Sequence, residues 1–224
     1  MQVHRLINSP VDSNCFVLVG EVDNNCIVID PGTEDCQELL AFLDVHGLQV
    51  QYIFLTHEHI DHIIGIKALK ERFPSAKLVC SDTCAQNLNN TRVNLSRFAE
   101  QFTPRDGFPE PELVYADRLS FEWQGIQATF FKAMGHSQGS SHALIGNCLF
   151  VGDTYILHFK TTTTLPGSSK PELVKTFESL INDLHTNDIV VYPGHFESCS
   201  AAEMKSELEP QLSNIKSILE RKKR

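Results

Sequence analysis

The 224-residue sequence lacks several features that would each define a class of protein. No apolar run approaches the length of a membrane span, and the first residues do not show the pattern of a signal peptide. The sequence also has no Gly/Ser linker and no repeat with the period of a solenoid. These absences predict one domain over residues 1–224, in the cytoplasm and without a membrane partner.

Paired cysteine motifs are absent as well. The seven cysteines form an odd set without a CxxC pair, and no export signal places them in an oxidising compartment. We therefore expect reduced, buried thiols and no disulfide framework.

Basic residues are scarce. Nineteen Lys and Arg face 28 Asp and Glu, which gives a net charge of −9 and argues against nucleic acid as the main partner. The hydrophobic content of 42% and the charged content of 21% describe a globular protein that is able to bury a core.

Residues 56–62 combine three imidazoles and two carboxylates. The apolar run before them, residues 52–55, predicts a buried strand, and apolar residues at helical spacing after them predict a helix from Asp61 to Phe73. The cluster therefore falls at the carboxyl end of a strand, where α/β proteins place their sites. In order, the residues are Thr56, His57, Glu58, His59, Ile60, Asp61 and His62.

Neutral imidazole and carboxylate are the ligands of zinc, iron and manganese sites. Three of the ten histidines fall within six positions beside a strand end, which argues against a solvated loop with chance histidines. The HExxH zinc motif does not fit. That motif needs a second histidine four positions after the first, whereas His62 lies five positions after His57. The pattern predicts a metal site.

Three later positions share one context, an apolar run followed by a glycine and a ligand-type residue. They are His136, Asp153 and His195, each expected where a strand ends. With the first cluster they supply seven ligands, enough for two metals that share one carboxylate.

Earlier in the chain, residues 33–35 predict the start of a helix with an acidic first turn.

The HxHxDH motif with the later His, Asp and His resembles the dinuclear hydrolases of the metallo-β-lactamase superfamily, from about Asn14 to Glu197. The resemblance implies an α/β (α+β) fold, a four-layer αββα sandwich with mixed sheets and the site at one edge of both. This fits the order of predicted elements, strands then helices, twice, which suggests two facing halves.

Carried over position by position, the resemblance implies two metal sites. The first would be formed by His57, His59 and His136, the second by Asp61, His62 and His195, and Asp153 would bridge them. Two divalent cations are implied, with zinc expected and iron or manganese as alternatives. Asp30 and Thr56 match positions that support the site from behind, although a turn residue and a cap explain them equally well.

The implied chemistry is attack of hydroxide, generated by two cations, on a carbonyl group. Asp61 would also act catalytically by accepting the proton of the nucleophile. Tyr155 and Lys160 are candidates for binding the substrate, although a packed aromatic and a solvated lysine explain them as well.

Within the superfamily the sequence is most similar to glyoxalase II-like thioesterases, on the stretches 164–173 and 192–195. Asp153 and His62 argue against a true β-lactamase. The retention of His59 argues against the iron flavoproteins of the superfamily, and the acidic net charge argues against its tRNA-processing nucleases. Two departures concern glutathione: residues 135–140 differ from the family's Gly-His-Thr-Pro-Gly-His, and only residues 196–224 follow the last ligand. Another thiol carrier, such as a coenzyme A derivative, is therefore an alternative.

Other reactions remain open. A lactone or a phosphodiester could be hydrolysed on the same centre, and a persulfide dioxygenase would use one iron on the first-site ligands with Asp153. Residues 87–112 form a long connection that we expect to act as a lid or to be a surface loop. A small-molecule substrate is expected, and the sequence leaves the oligomeric state open.

Overall fold

The computed structural model describes residues 1–98, 106–184 and 188–222. Two six-stranded sheets form its centre. The first contains β1 Gln2–Ile7, β2 Asn14–Val19, β3 Asn25–Ile29, β4 Gln49–Phe54, β5 Lys77–Ser81 and β6 Leu113–Tyr115, in that order. The second contains β7 Arg118–Trp123, β8 Ile126–Lys132, β9 Ser141–Ile145, β10 Cys148–Gly152, β11 Val190–Pro193 and β12 Cys199–Ser200. The helices are α1 Gln37–Val45, α2 Ile60–Ile63, α3 Ile66–Arg72, α4 Asp82–Asn87, α5 Lys170–Asp183 and α6 Ala201–Arg221.

Both sheets are mixed, as predicted. In the first sheet β1, β2 and β3 pair antiparallel, whereas β3 to β6 run parallel. In the second sheet β10 and β11 are parallel and the other neighbours are antiparallel. Parallel neighbours end at the same edge, so the carboxyl ends of β3 and β4 lie together, as do those of β10 and β11.

Three separate cores define four layers, which confirms the αββα sandwich. One core joins the first sheet to α1 and α3, a second fills the space between the sheets, and a third joins the second sheet to α5 and α6. Strand β4 shows how the sequence builds these layers: Ile53 packs toward the helices, and Phe54 packs between the sheets. This alternation is the period of two that a strand requires.

The helix predicted over residues 61–73 is wrong in one respect, because the structure divides it into α2 and α3 at Gly65. The Gly65 N–H donates to the Pro31 carbonyl oxygen at 2.8 Å. A Cβ atom at this position would lie 2.4 Å from the Thr33 carbonyl oxygen. Helical spacing continues across Gly65, so only the contact with a distant segment shows the division.

The predicted start of the preceding helix at residues 33–35 is also wrong, since α1 begins at Gln37 after Cys36 in a left-handed conformation (φ 50°). Asn8 ties down the segment before it: its Oδ1 accepts from the Gly32 N–H at 3.0 Å and from the Thr33 hydroxyl at 3.3 Å. These contacts hold the segment out of a helix.

The predicted connection 87–112 is described only in part, because residues 99–105 lie outside the described residues. A short 3-10 helix covers Ser96–Phe98. Phe108 packs into the first core, and its N–H donates to Asn89 Oδ1 at 2.7 Å. A lid function for this connection stays a prediction.

All seven cysteines are buried and free, as the sequence predicts. Among the described residues, no helix combines the length and the apolar character needed to cross a bilayer.

Candidate metal centre

Ligand-type side chains from both sheets converge at one edge of the sandwich. The turn after β4 carries four of them, and the segments after β8, β10 and β11 carry one each. Strands β8, β10 and β11 run in the same direction, because β9 is antiparallel to both β8 and β10. Their carboxyl ends therefore face the end of β4. The seven side chains are His57, His59, Asp61, His62, His136, Asp153 and His195.

Three imidazoles form the first group. His57 Nε2 lies 3.0 Å from His59 Nδ1, which lies 3.1 Å from His136 Nε2. All three side chains are buried. Three ring nitrogens that point at a common centre form the kind of ligand set that holds a transition metal.

Asp61, His62 and His195 form the second group. Asp61 Oδ2 lies 3.5 Å from His62 Nε2 and 3.5 Å from His195 Nε2. Each residue offers one ligand atom, so this group also has the geometry to hold a cation.

Asp153 lies between the two groups. Its Oδ2 is 3.7 Å from His136 Nε2 in the first group and 3.4 Å from His195 Nε2 in the second. Its Oδ1 is 3.5 Å from His62 Nε2. A single carboxylate thus faces both groups.

Asp30 and Thr56 lie behind the histidines. Asp30 Oδ1 accepts from the Thr56 N–H at 2.8 Å, and Asp30 Oδ2 accepts from the Thr56 hydroxyl at 2.5 Å. His62 Nδ1 donates to the same Oδ2 at 3.0 Å. Because the Thr56 hydroxyl gives its only proton to Asp30, His57 Nδ1 must donate to Thr56 Oγ1, at 2.9 Å. In their neutral forms His57 and His62 therefore keep a lone pair on Nε2, which points into the centre.

A main-chain carbonyl sets the tautomer of His195. Its Nδ1 lies 2.9 Å from the Asp12 carbonyl oxygen, which can only accept. In the neutral ring the lone pair of His195 is therefore on Nε2, facing Asp61 and Asp153.

Burial keeps the first group neutral. Desolvation, helped by the neighbouring imidazoles, lowers the pKa of His57 well below its ordinary value and that of His59 to about 3. Desolvation likewise lowers the pKa of His136, although the Asp153 carboxylate opposes it. Neutral imidazole is the form that binds a metal.

The second group has the opposite electrostatics. Burial lowers the pKa of His62, but the Asp61 and Asp153 carboxylates outweigh burial and raise it to about 9. For His195 the same two carboxylates raise the pKa to about 11 against burial. Burial raises the pKa of Asp153, yet His62 and His195 hold it well below the ordinary value. The carboxylates are ionised and attract positive charge.

The buried ligand atoms fit bound cations. His62 Nε2 and Asp153 Oδ1 are buried without a hydrogen-bond partner among the described residues. A buried polar atom without a partner costs about 1–3 kcal/mol. For His62 Nε2 and Asp153 Oδ1, a cation in the second group would remove this cost.

Glu58 is a buried residue whose role in the site the sequence did not reveal. Its carboxylate accepts from the Ser137 hydroxyl at 2.9 Å and from the Gly139 N–H at 3.3 Å. Burial raises its pKa. Glu58 thus links the turn that carries His57 and His59 to the loop that carries His136. Its place between two histidines was the available signal.

The two predicted substrate-binding residues lie apart from each other. Tyr155 is fully buried in the third core, and its hydroxyl donates to Glu207 of α6 at 3.0 Å. Lys160 is exposed and lines a groove along α6. The structure does not group either residue with the seven ligand-type side chains.

The fold and the paired His/Asp groups together define a class of metal-dependent hydrolases. The family model of the metallo-β-lactamase superfamily matches residues 8–195. The chain belongs to the metallo-β-lactamase superfamily.

Curated relatives are similar at low identity. A probable metallo-hydrolase from Streptococcus pyogenes is 25% identical over 209 residues, 92% of this chain and 88% of the relative. Hydroxyacylglutathione hydrolase from Klebsiella pneumoniae is 31% identical over 67% of this chain and 51% of the relative. The one from Aeromonas hydrophila is 28% identical over 68% and 51%. The chain spans about half the length of these two hydroxyacylglutathione hydrolases.

Solved structures share the fold. BLEG-1 B3 metallo-β-lactamase superposes with a TM-score of 0.79 at 23% identity, over 90% of this chain and 95% of that one. ETHE1 from Myxococcus xanthus superposes with a TM-score of 0.73 at 19% identity, over 97% of this chain and 91% of that one. TTHA1623, solved in a di-iron-bound form, superposes with a TM-score of 0.72 at 23% identity, over 89% of this chain and 96% of that one. Likeness at this identity shows the fold alone.

Proposed function

We propose that this protein is a dinuclear metal-dependent hydrolase that cleaves a thioester of a small molecule. One observation carries the proposal: the Asp153 carboxylate faces both groups of ligand atoms, within 3.7 Å of His136 and 3.4 Å of His195. A pair of sites that share a carboxylate suits hydrolysis by two cations.

His57, His59 and His136 would hold one cation, and Asp61, His62 and His195 the other, with Asp153 between them. When bound, such cations lower the pKa of water and polarise a carbonyl group. Zinc is the proposed metal, because imidazole and carboxylate are its usual ligands. The di-iron form of TTHA1623 keeps iron as an alternative.

The protein contributes orientation and a proton acceptor. Asp30, Thr56 and the Asp12 carbonyl fix three imidazoles with Nε2 toward the centre. Burial raises the pKa of the Asp61 carboxyl, but His62 and His195 outweigh it and hold this pKa below its ordinary value. Asp61 Oδ2 therefore stays ionised and can accept a proton from the nucleophile.

A thioester is the proposed substrate for two reasons. Hydroxyacylglutathione hydrolases are among the relatives, at up to 31% identity over two thirds of this chain. The stretches 164–173 and 192–195 also resemble glyoxalase II-like proteins.

We also propose a cytoplasmic location, with which the seven free thiols are consistent.

Metal content and thioester hydrolysis test the proposal together. We expect about two metal ions per chain by elemental analysis of protein purified without chelator, and turnover of S-lactoylglutathione or an acyl-coenzyme A. Asp153→Ala should abolish turnover because it removes the shared carboxylate. Two metals without turnover of any thioester would overturn the substrate and direct the search to lactones and phosphodiesters.

A persulfide dioxygenase is the second candidate, because the buried three-histidine group together with Asp153 could hold a single iron. It would need one iron on the first group with Asp153 and would leave His62 and His195 unused. One iron per chain, with oxygen consumption on a persulfide, would replace the hydrolase proposal.

A further inference from the structure

A groove of about 700 Å³ runs between segment 158–163 and helix α6, outside the metal centre. Its volume is in the range of small-molecule sites, about 300–1,000 Å³. From Ser206 to Ile218 the helix contributes about 18 Å of its length, at 1.5 Å per residue. The lining includes Phe159, Lys160, Lys170, Pro210, Asn214 and Ile218.

The groove adjoins the metal centre. Thr161 and Thr163 line it. The Thr161 hydroxyl donates at 2.7 Å to the carbonyl of Thr154, the residue after Asp153. A hydrogen bond therefore ties the lining of the groove to the segment that carries Asp153.

A network around Glu207 holds this wall in place. Glu207 Oε2 accepts from the Tyr155 hydroxyl at 3.0 Å and from the His158 N–H at 2.9 Å, and Oε1 lies 2.7 Å from His158 Nδ1. His158 has a positive φ of 65°, a conformation that non-glycine residues adopt rarely. Glu207 thus fixes the turn that presents Phe159.

Two exposed aromatic rings connect the groove to the metal centre. Phe159 stacks on Phe196 with ring centroids 4.8 Å apart and planes 8° apart, and the rings are 51% and 53% exposed. Phe196 directly follows His195, and its own φ is 62°. Stacked aromatic rings in solvent beside a site offer an apolar surface for a ligand.

The charge of the groove is opposite to that of the whole chain. Within the described residues, neither Lys160 nor Lys170 has an ion-pair partner, although the net charge is −9. Glu207 is the carboxylate of the lining, and it is occupied by Tyr155 and His158. An anionic group would find two free ammonium groups beside an apolar floor.

We propose that the groove binds the thiol carrier of the substrate, a phosphorylated carrier with a long, partly apolar arm. This inference rests on the proposed thioesterase function, because the scissile carbonyl would lie at the metal centre and the arm would cross the Phe159–Phe196 pair. The apolar floor suits the arm, and the lysines suit the phosphates.

Direct binding tests the groove without any reaction. Isothermal titration of the metal-loaded protein with coenzyme A should show binding that weakens at least tenfold in Lys160→Ala/Lys170→Ala. Asn214→Trp, which fills the groove from an exposed helix position, should weaken it as well. Lys77→Ala is the matched control, since Lys77 is exposed and lies on the first sheet. Binding that is absent, or equal in all variants, would overturn the proposal.

Kinetics test the same groove during turnover. For acetyl-coenzyme A the double lysine variant should raise KM at least tenfold with kcat unchanged. For S-acetyl-N-acetylcysteamine, which has the same acyl group on a short neutral carrier, KM should not change. An equal effect on both substrates would show that the lysines act on the fold and not on the carrier.

The two proposals fail separately. Lysine-dependent binding of coenzyme A without hydrolysis of any thioester would overturn the thioesterase function and leave the groove as a carrier site. Hydrolysis of thioesters with binding insensitive to the lysines and to Asn214→Trp would overturn the groove. Lysine-dependent binding of glutathione, with none of coenzyme A, would contradict the phosphorylated carrier.

Discussion

At the scale of single residues, Asp30 organises both groups of the centre. It binds His62 directly and His57 through the Thr56 hydroxyl. Its φ of 52° is unusual for a residue with a side chain, although aspartate tolerates it better than most. Asp30 also belongs to a group of possible metal ligands with His57 and His62. Since its oxygens already accept three hydrogen bonds, we assign it to orienting the histidines.

Asp30→Asn should lower metal affinity about 10- to 100-fold, the usual effect of losing a residue that orients a metal ligand. The amide nitrogen would face either the Thr56 main-chain N–H or both the Thr56 hydroxyl and His62 Nδ1, and all of these are already donors. Competition with a chelator measures the affinity. Asp117→Asn, at an exposed position on the second half, is the control. Unchanged affinity in Asp30→Asn would contradict this role.

Glu58→Ala should destabilise the fold by about 1–3 kcal/mol, because the Ser137 hydroxyl and the Gly139 N–H lose a buried acceptor. Metal affinity should fall as well, since the loop of His136 loses its link to His57 and His59. Urea unfolding and metal titration measure the two effects.

Glu58→Gln retains an acceptor and should recover part of both properties. If Glu58→Ala matched the unmutated protein in stability and affinity, the link would be unimportant.

At the scale of elements, a glycine stands directly before two of the ligand-type residues from the second sheet. Strand β10 ends in Gly152, before Asp153, and β11 is followed by Gly194, before His195. Gly152 has φ 51°, and a Cβ atom there would lie 2.6 Å from Thr56 Oγ1. A Cβ atom at Gly194 would lie 2.2 Å from Asp153 Oδ1. Glycine thus allows strand ends from two sheets to approach one centre.

Gly194→Ala should disrupt metal binding more than it disrupts the fold. Its φ is not positive, so the added methyl group acts by displacing the Asp153 carboxylate. We expect affinity to fall more than tenfold, measured by metal titration. Gly20→Ala is the matched control, because the atoms nearest to its methyl group would belong to the flexible Gln124 side chain. Equal loss of affinity in both variants would disprove the local explanation.

The sequence predicted most elements because their signals are local. Strand β4 follows from the apolar run of residues 52–55, and Ser169 caps α5 with its hydroxyl, which accepts from the Glu172 N–H at 3.4 Å. The break at Gly65 and the late start of α1 depend on contacts with Pro31 and Asn8, which are distant along the chain. No local pattern encodes such contacts.

At the scale of the whole molecule, the centre lies where the two sheets meet. The first sheet supplies the turn of residues 57–62, and the second supplies His136, Asp153 and His195. Among the described residues, main-chain hydrogen bonds that cross this edge include Ser141 N–H to the Thr56 carbonyl at 2.7 Å and Asn14 N–H to the Gly194 carbonyl at 2.6 Å. Cations bound by both halves would therefore join them.

Removal of metal should lower the stability of the whole fold. At free metal 100 times above the dissociation constant, binding contributes about 2.7 kcal/mol. For a chain of this size that corresponds to a fall in Tm of about 5–10 °C. Calorimetry with and without chelator measures it, and chelator already saturated with the metal is the control. Asp153→Ala should show a smaller difference, and an unchanged Tm would contradict metal binding across the sheets.

The sequence by itself determined the alternation of strands and helices and the seven side chains with ligand chemistry, because each is written in local spacing or in a motif. The four-layer class followed from the family resemblance that the motif carries. The tertiary structure alone decided which atoms meet. The tautomers set by Asp30 and the Asp12 carbonyl, the link through Glu58 and the groove along α6 all join residues far apart in the chain. Packing of the two sheets brings these residues together, and no periodicity within either half specifies that contact.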